Sequence, residues 1–164
     1  MAALIGFPRT VNEKAARAVA AGVVVLALLT IVTQQWWLAV VLAYGFWARV
    51  LTGPRLSPLA LFATRVAAPR LGPPREVPGP PKRFAQAIGA TLSSAAAVLA
   101  LGLGLEGLAT VLLLALVAAA GLEAGLGICL GCRIFAGLMR AGLVPATVCQ
   151  ECADIWSRPA VGQP

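Results

Sequence analysis

An apolar stretch at residues 15–33, interrupted only by Arg17 near its start, is what most restricts the folds open to this chain. At about 1.5 Å of rise per residue, a helix of that length reaches close to 30 Å, the thickness of a bilayer core. Three more apolar runs follow, at residues 36–51, 84–105 and 108–128. The expected fold is therefore all-α: one polytopic membrane domain over residues 1–164, with four transmembrane helices. Composition agrees. Only 12% of the 164 residues are charged and 60% are hydrophobic, whereas soluble domains run near 25% and 45–50%.

The connections have their own signatures. Gln34 and Gln35 read as a tight polar turn, and Trp36 and Trp37 as an aromatic belt at the membrane boundary. Arg49, near the end of a short second span, is expected to snorkel to the interface. The loop at residues 52–83 is rich in proline and basic residues. Within it, residues 56–68 read as an interfacial helix between Arg55 and Arg65. Residues 70–81 read as extended, because proline removes a donor and clashes with the preceding turn. Glu106 and Gly107 form the last turn, and residues 129–164 a short cysteine-rich tail.

If the N-terminus, the 52–83 loop and the tail share one side, that side holds all thirteen Lys and Arg, and Glu106 is the only charge opposite. Such asymmetry puts the basic side, with both termini, in the cytoplasm. The net charge of +7 then reflects topology, and the expected partner is a lipid bilayer and not nucleic acid.

The chain has no histidine, which excludes imidazole bases, Ser-His-Asp sets and Cys2His2 metal sites. Its chemistry concentrates in four cysteines, Cys129, Cys132, Cys149 and Cys152, arranged as Cys-x2-Cys-x16-Cys-x2-Cys. Cytoplasmic thiols are kept reduced, so permanent disulfides are not expected. The spacing suits a four-thiolate zinc site. It also allows thiol exchange between two vicinal pairs, or the handling of a soft metal, though by itself the spacing favours zinc. Read as a continuation of the fourth span, Cys129 and Cys132 share a helix face at a C-terminal end, where the dipole disfavours a thiolate. Arg133 beside them is the expected offset. Pro145 reads as the start of a short helix, and Glu151 opposes ionisation of the second pair.

Glu123 is the one carboxylate deep in the fourth span and a candidate proton acceptor; otherwise it pairs with an arginine. Gly121, Gly125, Gly127 and Gly131 read as close-packing positions. Gln86 reads first as a cap or interhelical hydrogen bond and second as a substrate contact. Lys82 and Arg83 read as headgroup anchors that an anionic sulfur species could also use.

Several stretches carry a resemblance: Arg9-Thr-Val-Asn-Glu13 with Arg17, Gly53-Pro-Arg-Leu-Ser-Pro58, Pro81-Lys-Arg-Phe-Ala-Gln86 with Gly89, and Gly127-Ile-Cys129-Leu-Gly-Cys132 followed by Phe135. The chain resembles a bacterial membrane family catalogued as domain of unknown function 4395. The resemblance implies a place in the bacterial inner (plasma) membrane and a link to sulfur metabolism, with a thioredoxin-like protein or sulfurtransferase as partner. The leading expectation is a cytoplasmic-face thiol protein exchanging disulfide or persulfide sulfur with a soluble partner; as an enzyme it would be a thiol-disulfide oxidoreductase or sulfur relay. The alternatives are a non-enzymatic membrane protein with a four-cysteine zinc site, and a small carrier for a soft metal or sulfur oxyanion. The carrier would need a homo-oligomer, since four spans are few for transport.

Overall fold

The computed structural model describes residues 8–145 and 148. Cys149, Cys152 and Glu151, and with them most of the expected cysteine-rich tail, lie outside the described residues. Three helices are long and apolar enough to cross a membrane: Glu13–Thr33, Gly79–Gly102 and Glu106–Leu126. A fourth apolar helix, Trp37–Thr52, has 16 residues and measures about 24 Å at the standard rise.

Local chemistry sets the ends of these helices. In α1 (Glu13–Thr33) the Asn12 side chain accepts the Lys14 N–H at 3.0 Å, and Glu13 faces the positive end of the dipole. The helix stops at Gln34, which takes the left-handed conformation at φ 55°. α2 (Trp37–Thr52) ends at Gly53, whose N–H bonds the Arg49 carbonyl at 2.9 Å. Ser57 caps a broken helical segment made of α3 (Pro58–Phe62), a π-helical turn (Ala63–Ala67) and α4 (Ala68–Arg70). This segment buries Ala60, Ala63 and Ala68 along α1, with Leu59 against Gly22. α5 (Gly79–Ala97) runs on into a π-helical turn at Val98–Gly102, and α6 is Glu106–Leu126. The last described helix is α7 (Leu130–Arg140).

One expectation for the central loop needs correction at its end. Residues 79–81 are helical and not extended: Pro80 and Pro81 occupy the first turn of α5, where a missing N–H costs nothing. The chain also holds a short antiparallel strand pair. β1 (Thr10–Asn12) and β2 (Glu76–Pro78) align Val11 with Val77 and tie the entry to α1 to the entry to α5. Gly79 closes this knot. Its N–H donates to Arg9 O at 2.7 Å, and a Cβ there would meet Pro8 O at 2.2 Å.

In the bundle, α1 packs chiefly on α6, and α2 on α5. Alanines fill the centre, including Ala27, Ala39, Ala90, Ala96 and Ala109, with Leu113 and Phe46 as the larger members. Small side chains let helix backbones approach where lipid offers no hydrophobic drive to associate. Phe46 shows how close the fit is: a Cβ on Gly89 would lie 2.2 Å from its ring. The large apolar side chains point outward instead, among them Val25, Val32, Trp37, Tyr44, Val98 and Val111. That inverted distribution suits contact with a lipid bilayer.

Candidate functional site

The starts of α1 and α5 and the ends of α2 and α6 meet at one end of the bundle, and the polar side chains gather there. α6 stops because Gly127 turns left-handed at φ 71° and donates its N–H to Glu123 O at 3.1 Å. Two carbonyls of the last turn would otherwise lack partners. Arg17 takes both: Nη2 donates to Gly125 O at 2.8 Å and to Ala124 O at 3.2 Å, and Nε reaches Ala124 O at 3.3 Å. A cation at a helix C-terminus also meets the dipole favourably.

The break at Gly127 reverses the electrostatics expected at the cysteines. Cys129 does not continue the fourth span. It is extended (φ −89°, ψ 107°) and occupies the N-cap of α7, with Cys132 in the first turn. The pair therefore sits at the positive end of a new helix and not at the negative end of the old one. Gly131 holds α7 against α5, since a Cβ there would lie 2.5 Å from Ala85 Cβ. Phe135 packs against Phe84 with the rings tilted by 55° and their centres 5.7 Å apart. This docking brings Cys129 towards Lys82.

Lys82 and Arg83 have opposite fates. Arg83 donates to Val50 O at 3.0 Å and is largely exposed. Lys82 is 7% exposed and ion-paired with Glu123. Glu123 thus pairs with a lysine, where an arginine was expected. Arg49 does not snorkel. It is 5% exposed and turned inward, with Nε donating to Gln86 Oε1 at 2.7 Å, Nη1 to Ser57 Oγ at 3.1 Å, and the guanidinium 4.5 Å from the Phe46 ring centre. Gln86 accordingly serves as an interhelical partner.

Cys129 and Cys132 are both free thiols, the first buried and the second half-buried. A hydrogen bond from the Cys132 thiol holds the Cys129 thiol below its ordinary range, and the Lys82 ammonium acts in the same direction against burial and the Glu123 charge. The same hydrogen bond, with burial, pushes Cys132 far up. Cys129 is thereby the more readily ionised of the two sulfurs, and Cys132 the one that keeps its proton. Arg133 is exposed, and the charges that act on the two thiols are those of Lys82 and Glu123. Cys129, Glu123 and Gln86 also line a cavity of about 230 Å³ whose walls are otherwise apolar side chains of α1, α2, α5, α6 and α7.

Of the sequence candidates, the structure brings together Cys129, Cys132 and Glu123, and leaves Arg133 outside the group. The glycine expectation divides. Gly121 and Gly125 face open space, Gly127 supplies a turn, and Gly131 alone makes close packing of the expected kind. Lys82, Arg49 and Arg17 were missed as members of the site. The signal for Lys82 was present, because paired prolines mark a helix start and place the next residue on its first turn. Among the described residues no three His, Cys, Asp or Glu side chains are grouped to hold a metal. A zinc ion at Cys129 and Cys132 would have to draw on Cys149 and Cys152.

Neither the curated proteins nor the solved structures contain a match to this chain. A match to a family does exist over residues 11–140, which takes in Arg17, Lys82, Glu123, Cys129 and Cys132 and ends before Cys149. On that match the chain belongs to the family described as Domain of unknown function (DUF4395).

Proposed function

We propose that the protein is a membrane-embedded dithiol that exchanges disulfide or persulfide sulfur with a soluble thioredoxin-like protein or sulfurtransferase at the cytoplasmic face. In this reading α2 crosses the membrane with the three longer helices, and the basic end of the bundle faces the cytoplasm of a bacterial cell. The observation that carries the proposal is the unequal pair: the Cys129 thiol is held below its ordinary range by Cys132, with Lys82 beside it. A thiolate is the attacking species in exchange, and a neighbouring protonated thiol is the natural resolving group.

The electrons of the reaction balance within the pair, and one proton comes from water. The Cys129 thiolate attacks one sulfur of the partner's disulfide, forming a mixed disulfide and releasing the other sulfur as thiolate. That thiolate takes the Cys132 proton, and the new Cys132 thiolate attacks Cys129 Sγ. The partner leaves with one thiol and one thiolate, the latter taking its proton from water; it is reduced by two electrons, and Cys129–Cys132 becomes a disulfide, oxidised by two. With a persulfide donor, the Cys129 thiolate takes the terminal sulfur and the donor departs as a thiol.

The test uses purified full-length protein in detergent and an oxidised thioredoxin. Cys132→Ser should trap a mixed disulfide through Cys129, while Cys129→Ser should trap none. Trapping that is equal in both variants, or absent in both, overturns the dithiol reading. The cysteine spacing supports a second reading, a structural zinc site on all four cysteines. One zinc per chain, with each of the four Cys→Ser variants equally destabilised, would establish it, because the free energy of metal binding is largely folding free energy.

A further inference from the structure

Arg49 carries a charge and a donor that the rest of the bundle does not satisfy. Its side chain is buried, and while Nε and Nη1 are bonded to Gln86 and Ser57, Nη2 has no partner. Arg49, Lys82, Gln86, Thr64, Gly53 and Pro54 line a second cavity, of about 50 Å³, separate from the one that Cys129 faces. Thr64 spends its hydroxyl proton on backbone carbonyls at 2.8 and 3.2 Å. Gln86 has given its oxygen to Arg49, so what its amide can still offer is donors. The polar wall of this cavity is thus cationic and donor-rich.

Arg49 also lacks a carboxylate in direct contact. Two cations, Arg49 and Lys82, share the single carboxylate Glu123, which pairs directly with Lys82 and reaches Arg49 only through space. The charge that Cys129 can carry acts on Lys82, and Glu123 is the charge that acts on Arg49. The other described carboxylates are elsewhere: Glu13 pairs with Arg75, Glu76 is exposed on β2, and Glu106 starts α6 at the opposite end. A buried cation held away from its counter-charge is poorly compensated. Water can fill the donor but leaves the charge.

We propose that the cavity between Arg49 and Lys82 is a binding site for one small monovalent anion of the size of chloride or hydrosulfide. A single water needs about 10–15 Å³ of such space, so 50 Å³ admits one such ion with a water. A polyhydroxylated carboxylate such as gluconate is excluded by size.

The experiment uses full-length protein in detergent with Cys129 and Cys132 both changed to Ser, so that its outcome is independent of the dithiol proposal. Thermal unfolding is followed at fixed ionic strength as gluconate is replaced by chloride, bromide or hydrosulfide, and the ³⁵Cl line width is recorded in parallel. A saturable rise in Tm with each small anion is expected, with chloride line broadening that hydrosulfide competes away. Arg49→Lys keeps the charge and removes the unpartnered nitrogen, and should weaken binding at least tenfold. Thr64→Leu leaves Arg49 intact, fills the cavity, and should abolish the response in a folded protein. A Tm that is the same in gluconate and chloride, with no line broadening, means water alone occupies the cavity and overturns the proposal. A full response in Thr64→Leu overturns the location.

Discussion

The two ends of the bundle solve the same problem, joining apolar helices outside the apolar layer, in opposite ways. At one end α1 meets α2 through Gln34 and Gln35, and the π turn meets α6 at residues 103–105, with backbone conformation and local bonds as the only devices. At the other end, long connections bring Arg17, Arg49, Lys82, Glu123 and the cysteine pair together from positions up to 115 residues apart, as for Arg17 and Cys132. The first end can be built from sequence neighbours alone. The second exists only once the whole bundle has formed, and so it is where a substitution at one residue leaves another buried and unpaired.

The largest effect should follow from breaking that dependence. Lys82→Met leaves Glu123 buried without its cation and should cost about 3–5 kcal/mol in reversible unfolding in detergent. Lys82→Met with Glu123→Leu should recover most of that loss, since a hydrophobic pair of similar volume is often neutral. If the double variant is as unstable as the single one, Lys82 contributes through packing and the contrast between the ends weakens.

Next comes the docking of α7. Gly131→Val puts a branched side chain where Ala85 leaves no room, and overpacking of this kind costs about 1–3 kcal/mol. It should also separate Cys129 from Lys82, seen as slower alkylation of Cys129 near neutral pH. A third effect is one of pH. The folded thiol value of Cys129 is lowered, so its stabilising contribution is present above the unfolded value and fades as pH falls through the folded one. Cys132→Ala removes the largest cause and should move the alkylation profile of Cys129 to higher pH, further than Lys82→Met does. Equal shifts would reverse that order of causes.

The smallest effects belong to the plain end. Glu106→Gln alters an exposed first-turn charge and should stay within about 0.5 kcal/mol. Gln34→Gly relieves a left-handed residue and should stabilise by up to about 1 kcal/mol. A large loss in either would show that this end, too, holds long-range structure.

Legibility in the sequence followed the same division. Long apolar runs bounded by polar, proline or glycine signals placed the helices to within a few residues, because hydropathy and helix ends are local properties. The cysteine pair was placed on the wrong end of a helix although the signal was there: Gly127 after an apolar run is a helix stop. The paired prolines placed Lys82 on a first helical turn, but its pairing with Glu123, 41 residues away, and that of Arg49 with Gln86, 37 away, had no local signal. Which way a long cationic side chain turns depends on helices that no spacing rule brings together. The expected influence of Arg133 failed for the converse reason, since adjacency in sequence at a helix start does not put two side chains on one face.

The order of packing, α1 on α6 and α2 on α5, bears on how the chain is made. The hairpin of α1 and α2 leaves the ribosome first, yet each of its helices has its chief partner in the second half. The strand pair that binds Val11 to Val77 cannot close until synthesis has passed residue 78. Arg17 finds the carbonyls it caps more than a hundred residues later. Loop closures of this length place the search for native contacts late. The first two helices are therefore an open pair while the rest of the chain is made, and their packing waits for α5 and α6.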